Sequence, residues 1–144
     1  MSKIQENIDQ YGWHIISVLA DDIGPSFSYS IGFYESFGHP EVIFVGLKIE
    51  LAQILINNIG HSIKEGVTYD QDKFYTDILD NYECRMLKVH GSNYDEYVGQ
   101  AQNHYNGPFP LLQCVYPTIN GVFPWDKEWP SDLLSVQPLL SEDK

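Results

Sequence analysis

The stretch from Trp13 to Leu47, WHIISVLADDIGPSFSYSIGFYESFGHPEVIFVGL, constrains the fold of this chain more than any other. Trp13 to Ala20 is apolar on both faces, which marks a central strand. Asp21-Asp22-Ile23-Gly24-Pro25 is a turn, because Gly tolerates positive φ and Pro bars helix from the residue before it. The run after it alternates: Phe27, Tyr29, Ile31 and Phe33 on one face, Ser26, Ser28, Ser30 and Gly32 on the other. The two runs are expected to form an antiparallel hairpin. A polar loop ending in Gly38-His39-Pro40-Glu41 leads to a third strand, Val42 to Gly46.

Outside this block the periodicity changes. Residues 2–11 read as a short helix or ordered arm, with Ile4 and Ile8 four apart. Leu51, Leu55, Ile59 and Ile63 form the inner stripe of an amphipathic helix, with Lys64 in its last turn and Gly66 as its stop. Residues 67–81 are polar and acidic, with a helical turn expected around Phe74 to Leu79. Tyr82 to His90 is the next strand. Ser92 and Asp95 are spaced as a capping box for a second helix that Gly107-Pro108 ends. Leu111 to Tyr116 is the last strand, and the Pro- and Trp-rich coil from about residue 117 onward is expected to pack on the body. The expected fold is therefore α+β: one domain over 1–144, a mixed and largely antiparallel sheet, and two main helices.

Composition narrows the function classes. Twenty acidic against eight basic side chains give a formal net charge of -12. That excess disfavours nucleic acid and anionic membrane surfaces, and it points instead to solubility or to a basic protein partner. No apolar leader and no window of membrane-spanning length is present in the sequence given, so a cytoplasmic protein is expected. Cys84 and Cys114 lack Cys-x-x-Cys spacing and lie in apolar segments, as buried reduced thiols do.

Reaction signatures are missing. His14, His39, His61, His90 and His104 show no metal-binding spacing, so no metal is expected, although strands could bring His14, His39 and His90 together. There is no Gly-x-Ser-x-Gly elbow and no phosphate-cradling Gly loop, so no cofactor is expected. Asp70-Gln71-Asp72 lacks the Gly and terminal Glu of a calcium loop. The Ser28-Ser30-Gly32 face can floor a pocket or let a helix approach closely.

Gly12-Trp13-His14, the Gly24-Pro25 turn, Phe27-x-Tyr29-Ser30-x-Gly32 and Gly38-His39-Pro40-Glu41 together resemble a bacterial family of unknown function, domain family 4262. Gly121-Val122-Phe123-Pro124-Trp125 and Gln137-Pro138 are similar to its C-terminal part, so the resemblance covers about residues 11–140. It implies a small bacterial cytoplasmic protein. The family carries no established activity, so it assigns no catalytic residue.

Two functions remain in view. One is a non-enzymatic binding protein, an immunity- or antitoxin-like inhibitor of a basic protein, using Asp70, Asp72, Tyr75, Asp77 and Asp80. There carboxylates steer a cationic surface and rings supply contact area. The other is a hydrolase-like enzyme with a pocket between the Ser28-Ser30-Gly32 face and the His39-Pro40-Glu41 loop. In it His39 is the general base, Glu41 is its orienter or a second acid–base group, and convergence of His14 and His90 on the same cleft would mark the enzyme.

Overall fold

A computed structural model describes residues 2–22, 24–133 and 135–142. Ile23 of the expected turn and residues 134, 143 and 144 of the expected coil lie outside the described residues. The chain runs α1 (Lys3–Tyr11), β1 (His14–Val18), β2 (Phe27–Ile31), α2 (Phe33–Phe37), β3 (Glu41–Val45) and α3 (Ile49–Lys64). It continues β4 (Phe74–Leu79), β5 (Tyr82–Lys88), α4 (Tyr94–Tyr97), α5 (Gly99–Tyr105) and β6 (Leu111–Val115).

The six strands form one sheet in the order β1-β2-β3-β6-β5-β4. Two antiparallel meanders, β1-β2-β3 and β4-β5-β6, meet at the parallel pair β3–β6, so the sheet is mixed and largely antiparallel as the patterning predicts. β1 and β4 are its two edges. β3 and β6 are buried along their whole length, including Glu41 and Gln113 within their otherwise apolar runs.

Both faces are covered. On one, α3 lays Ala52, Leu55, Ile56 and Ile59 over Val42, Phe44, Met86, Leu112 and Cys114. On the other, Ile8 of α1 and Val98 and Ala101 near α5 pack on Tyr29, Ile31, Ile43, Val45 and Leu111. Ser28 and Ser30 are buried, and Ser17 Oγ bonds both Ser28 Oγ at 2.9 Å and Gln53 Nε2 of α3 at 3.2 Å. The serine face is thus the helix-approach surface. α3 ends as its sequence foretells: Gly66 N–H donates to the Ile63 carbonyl and Val67 N–H to the Ser62 carbonyl.

Four expectations are corrected. The run from Trp13 was expected to be a central strand, yet β1 is an edge: Ile15 and Ile16 pack into the clusters on opposite faces, which makes the run apolar on both sides although only β2 pairs with it. Phe74 to Leu79 is the edge strand β4, not a helical turn. A two-residue loop at Asp80-Asn81, with Asn81 at φ 70, closes the hairpin between Leu79 and Tyr82. The alternation of β2 stops at Ile31, and Phe33 starts the one-turn helix α2 where only a loop was expected. Gly32 permits the switch: its φ is 128, and a Cβ there would lie 2.5 Å from the Gly12 carbonyl oxygen. Finally, Ser92 does not cap the second helix. His90 Nδ1 accepts the Ser92 N–H, and the helix is broken at Val98 into α4 and α5.

The C-terminal coil packs by means of side-chain amides. Gln113 in the buried strand β6 donates to the Pro138 carbonyl at 2.9 Å and accepts the Leu140 N–H at 2.8 Å. Gln137 pairs with the Tyr116 backbone in both directions, at 3.1 and 2.9 Å. β6 is already paired with β3 and β5, so these amides supply partners to backbone groups of the coil and of Tyr116 that no ladder reaches.

Candidate functional site

The Gly38-His39-Pro40-Glu41 motif closes α2 at both ends. At the C-terminus, Gly38 N–H donates to the Tyr34 carbonyl and His39 N–H to that of Phe33. At the N-terminus, the Glu41 carboxylate turns back over the helix. Its Oε1 accepts from Ser30 Oγ at 2.7 Å and Phe33 N–H at 3.1 Å. Its Oε2 accepts from Gly32 N–H at 2.9 Å, Tyr34 N–H at 3.1 Å and the Tyr105 hydroxyl. Ser30 Oγ already accepts the Val42 N–H, so its own proton goes to Glu41. Burial pushes the Glu41 carboxyl above the usual carboxylate range, and the bonds from Tyr105, Gly32, Ser30 and Tyr34 pull the other way. Beside it, His104 Nε2 meets Glu35 Oε1 at 2.5 Å, a second tie between α5 and α2.

His39 does not meet Glu41. Its Nδ1 donates to the Pro40 carbonyl at 2.8 Å, which leaves Nε2 to accept the Tyr69 N–H at 2.9 Å. Both nitrogens of this buried ring are occupied, and burial lowers its pKa. His14, His39 and His90 lie towards one end of the sheet, but each lines a different cavity, of about 640, 270 and 510 Å³ respectively. His14 Nδ1 bonds Asn7 Nδ2 at 2.7 Å, and His90 serves as the cap described above. The enzyme arrangement of base, orienter and converging histidines is not assembled here. Among the described residues, no group of three or more His, Cys, Asp or Glu is placed to hold a metal ion.

The acidic segment behaves differently. Asp70, Asp72, Tyr75, Asp77 and Asp80 all belong to the β4–β5 hairpin or the turn leading into it, at the sheet edge. Several of them also hold that turn together. Asp70 N–H donates to the Tyr75 hydroxyl at 2.6 Å, Asp70 pairs with Lys73 at 3.2 Å, and the Tyr69 hydroxyl donates to Asp77 at 3.0 Å. Burial pushes the Tyr69 hydroxyl up to about 12, with Asp77 adding to the rise. Asp80 stands exposed at the hairpin tip.

The sequence reading missed the aromatic cluster beside these acids. The Arg85 guanidinium lies 5.3 Å from the ring centroids of both Phe74 and Trp125. Phe123 stacks on Trp125 at 4.7 Å and meets Phe74 edge-on at 5.8 Å. Asp72 is 3.9 Å from the guanidinium, whereas Arg85 Nε is buried with no hydrogen-bond partner, so ring faces hold much of this cation. Phe74 is 47% exposed and Trp125 38%. The available signal was the pairing of Arg85 with Phe74 across the hairpin, which follows from register once β4 is recognised as a strand.

No curated protein and no solved structure matches this chain. A profile of the family described as "Domain of unknown function (DUF4262)" matches residues 7–130, from within α1 into the C-terminal coil. That span holds the Gly32 switch, the Gly38–Glu41 closure and the β4–β5 hairpin, so the chain belongs to the DUF4262 family.

Proposed function

We propose that this is a non-enzymatic binding protein of the bacterial cytoplasm, an immunity- or antitoxin-like inhibitor that takes a basic protein partner on its β4–β5 edge. The observation that carries the reading is the half-exposed Phe74–Arg85–Trp125 stack set beside the acidic hairpin. Aromatic rings and arginine supply most of the energy at protein interfaces, because they bury large areas with few rotatable bonds. Carboxylates around such an anchor add little affinity but speed the approach of a cationic surface. The hairpin places both at one sheet edge, with Asp80 at its tip and Asp70 and Asp72 at its base. No helix among the described residues is long and apolar enough to cross a membrane.

Differential capture tests the reading. The wild-type protein and the Phe74→Ala/Trp125→Ala double variant are immobilised, and bound bacterial proteins are compared by mass spectrometry. A basic protein retained by the wild type and lost from the variant is the expected result. Identical captures on a folded variant would remove the hairpin as the contact surface.

A further inference from the structure

At the sheet edge opposite the hairpin, α1, β1 and α3 border an open groove of about 640 Å³. We propose that this groove is a second binding site, for a small organic carboxylate. Charge is the first argument. Twenty of the chain's side chains are acidic and eight basic, yet the groove is lined by Lys64, two histidines and three amides, with no carboxylate among its described walls. Glu6 and Asp9, on the same helix, line the neighbouring cavity instead.

Hydrogen-bond direction is the second argument. Trp13 Nε1–H donates to Asn57 Oδ1 at 2.9 Å, which fixes that amide and leaves its NH2 group to donate at the wall. Asn7 Nδ2 donates to His14 Nδ1 at 2.7 Å, so the His14 proton resides on Nε2. Burial and the nearby Lys3 charge both lower the His14 pKa, which keeps this ring a neutral donor. The site therefore offers the fixed N–H groups of His14 and Asn57 together with the Lys64 ammonium. A carboxylate, with one charge and two acceptor oxygens, matches that set better than a dianion does.

The apolar part of the ligand follows from the remaining walls. Trp13 and Ile15 line the groove, His61 stands edge-on to Trp13 at 5.3 Å, and the Tyr11 ring is 57% exposed beside them. A few oriented polar groups against aromatic walls is the usual composition of a small-ligand site. The proposed occupant is a planar or short aliphatic acid with its carboxylate towards Lys64 and Asn57.

The test titrates the intact protein with benzoate, phenyl phosphate and benzylammonium while following the Trp13 indole N–H and His14 ring resonances. Benzoate is expected to shift both saturably. Lys64→Glu should weaken it about tenfold or more, and His61→Gln should weaken it less. Lys88→Glu, on an exposed strand end that lines other cavities, should leave it unchanged. A response to benzylammonium equal to that with benzoate, an undiminished affinity in Lys64→Glu, or no saturable shift overturns the proposal. Tighter binding of phenyl phosphate overturns the carboxylate and reassigns the groove to phosphate esters.

Discussion

Glu41 shows how much one side chain organises here. Its five donors come from β2, from the first turn of α2 and from α5, so a single carboxylate joins three elements that the chain presents in separate places. Replacing it by Gln turns one acceptor oxygen into a donor that faces other donors. Glu41→Gln is therefore expected to cost roughly 3 kcal/mol, measured by urea denaturation, with the melt still cooperative. His39 gives a prediction about pH. Burial lowers its pKa below the ordinary 6.5, so the unfolded chain takes up its proton first as pH falls. Its contribution to stability is present above pH 6.5 and is lost below that value, towards the lower folded pKa. Stability measured at pH 5 and pH 7.5 should differ less in His39→Gln than in the wild type, while His14, shifted in the same direction, retains its share. The motif Gly38-His39-Pro40-Glu41 was legible as special, but not in what it does. A carboxylate next to a histidine reads as chemistry until the five donors and the Tyr69 N–H are placed around them, and Tyr105 is 64 residues away.

Among the elements, α3 and Trp13 are matched by a missing side chain. Gly60 lies inside the helix, where Ala would ordinarily stabilise by about 1 kcal/mol. A Cβ at Gly60, however, would lie 2.7 Å from Trp13 Cζ2, and that indole is held by Asn57. Overpacking a fixed ring costs roughly 1–3 kcal/mol, so it outweighs the helix gain. Gly60→Ala is expected to lower the melting temperature, and differential scanning calorimetry decides the sign. The helix itself was legible because apolar residues recur every three or four positions, although Leu51, expected on the inner stripe, is exposed and the buried face runs through Ala52, Leu55, Ile56, Ile59 and Ile63. β4 was not, because an exposed edge strand need not bury one face, and Thr76 and Asp77 side by side hide the alternation. α2 was hidden for another reason: the apolar alternation of β2 runs on through Phe33, and nothing in the period marks the break at Gly32.

For the whole molecule, net charge is less informative than where the charge lies. The β4 edge gathers carboxylates around aromatic rings, and the β1 edge carries a groove with none among its described lining residues. Asp80→Lys with Glu83→Lys, both exposed, should change the melting temperature little, since surface substitutions usually fall within about 0.5 kcal/mol. The same pair should slow association of the captured basic partner and flatten its dependence on salt, because the field acts over about 8 Å at physiological ionic strength. Stopped-flow rates at low and high salt measure both effects. An unchanged low-salt rate would assign the hairpin acids to solvation alone. Composition disclosed the sign of the charge but not its arrangement, which depends on β1 and β4 ending on opposite edges of the sheet.

The side-chain amides of β6 bear on how the protein is made. Gln113 belongs to a central strand, yet among the described residues its acceptor and donor are answered by Leu140 and Pro138, 27 and 25 residues further along. A chain emerging from the ribosome in order can pair β6 with β3 and β5 while that buried amide still lacks partners. The sheet is then complete in outline but not in hydrogen bonding, and synthesis in order cannot secure its centre strand by strand. The last buried amide is satisfied only when the coil has been translated and has folded back, so maturation is governed by a segment that contributes no strand.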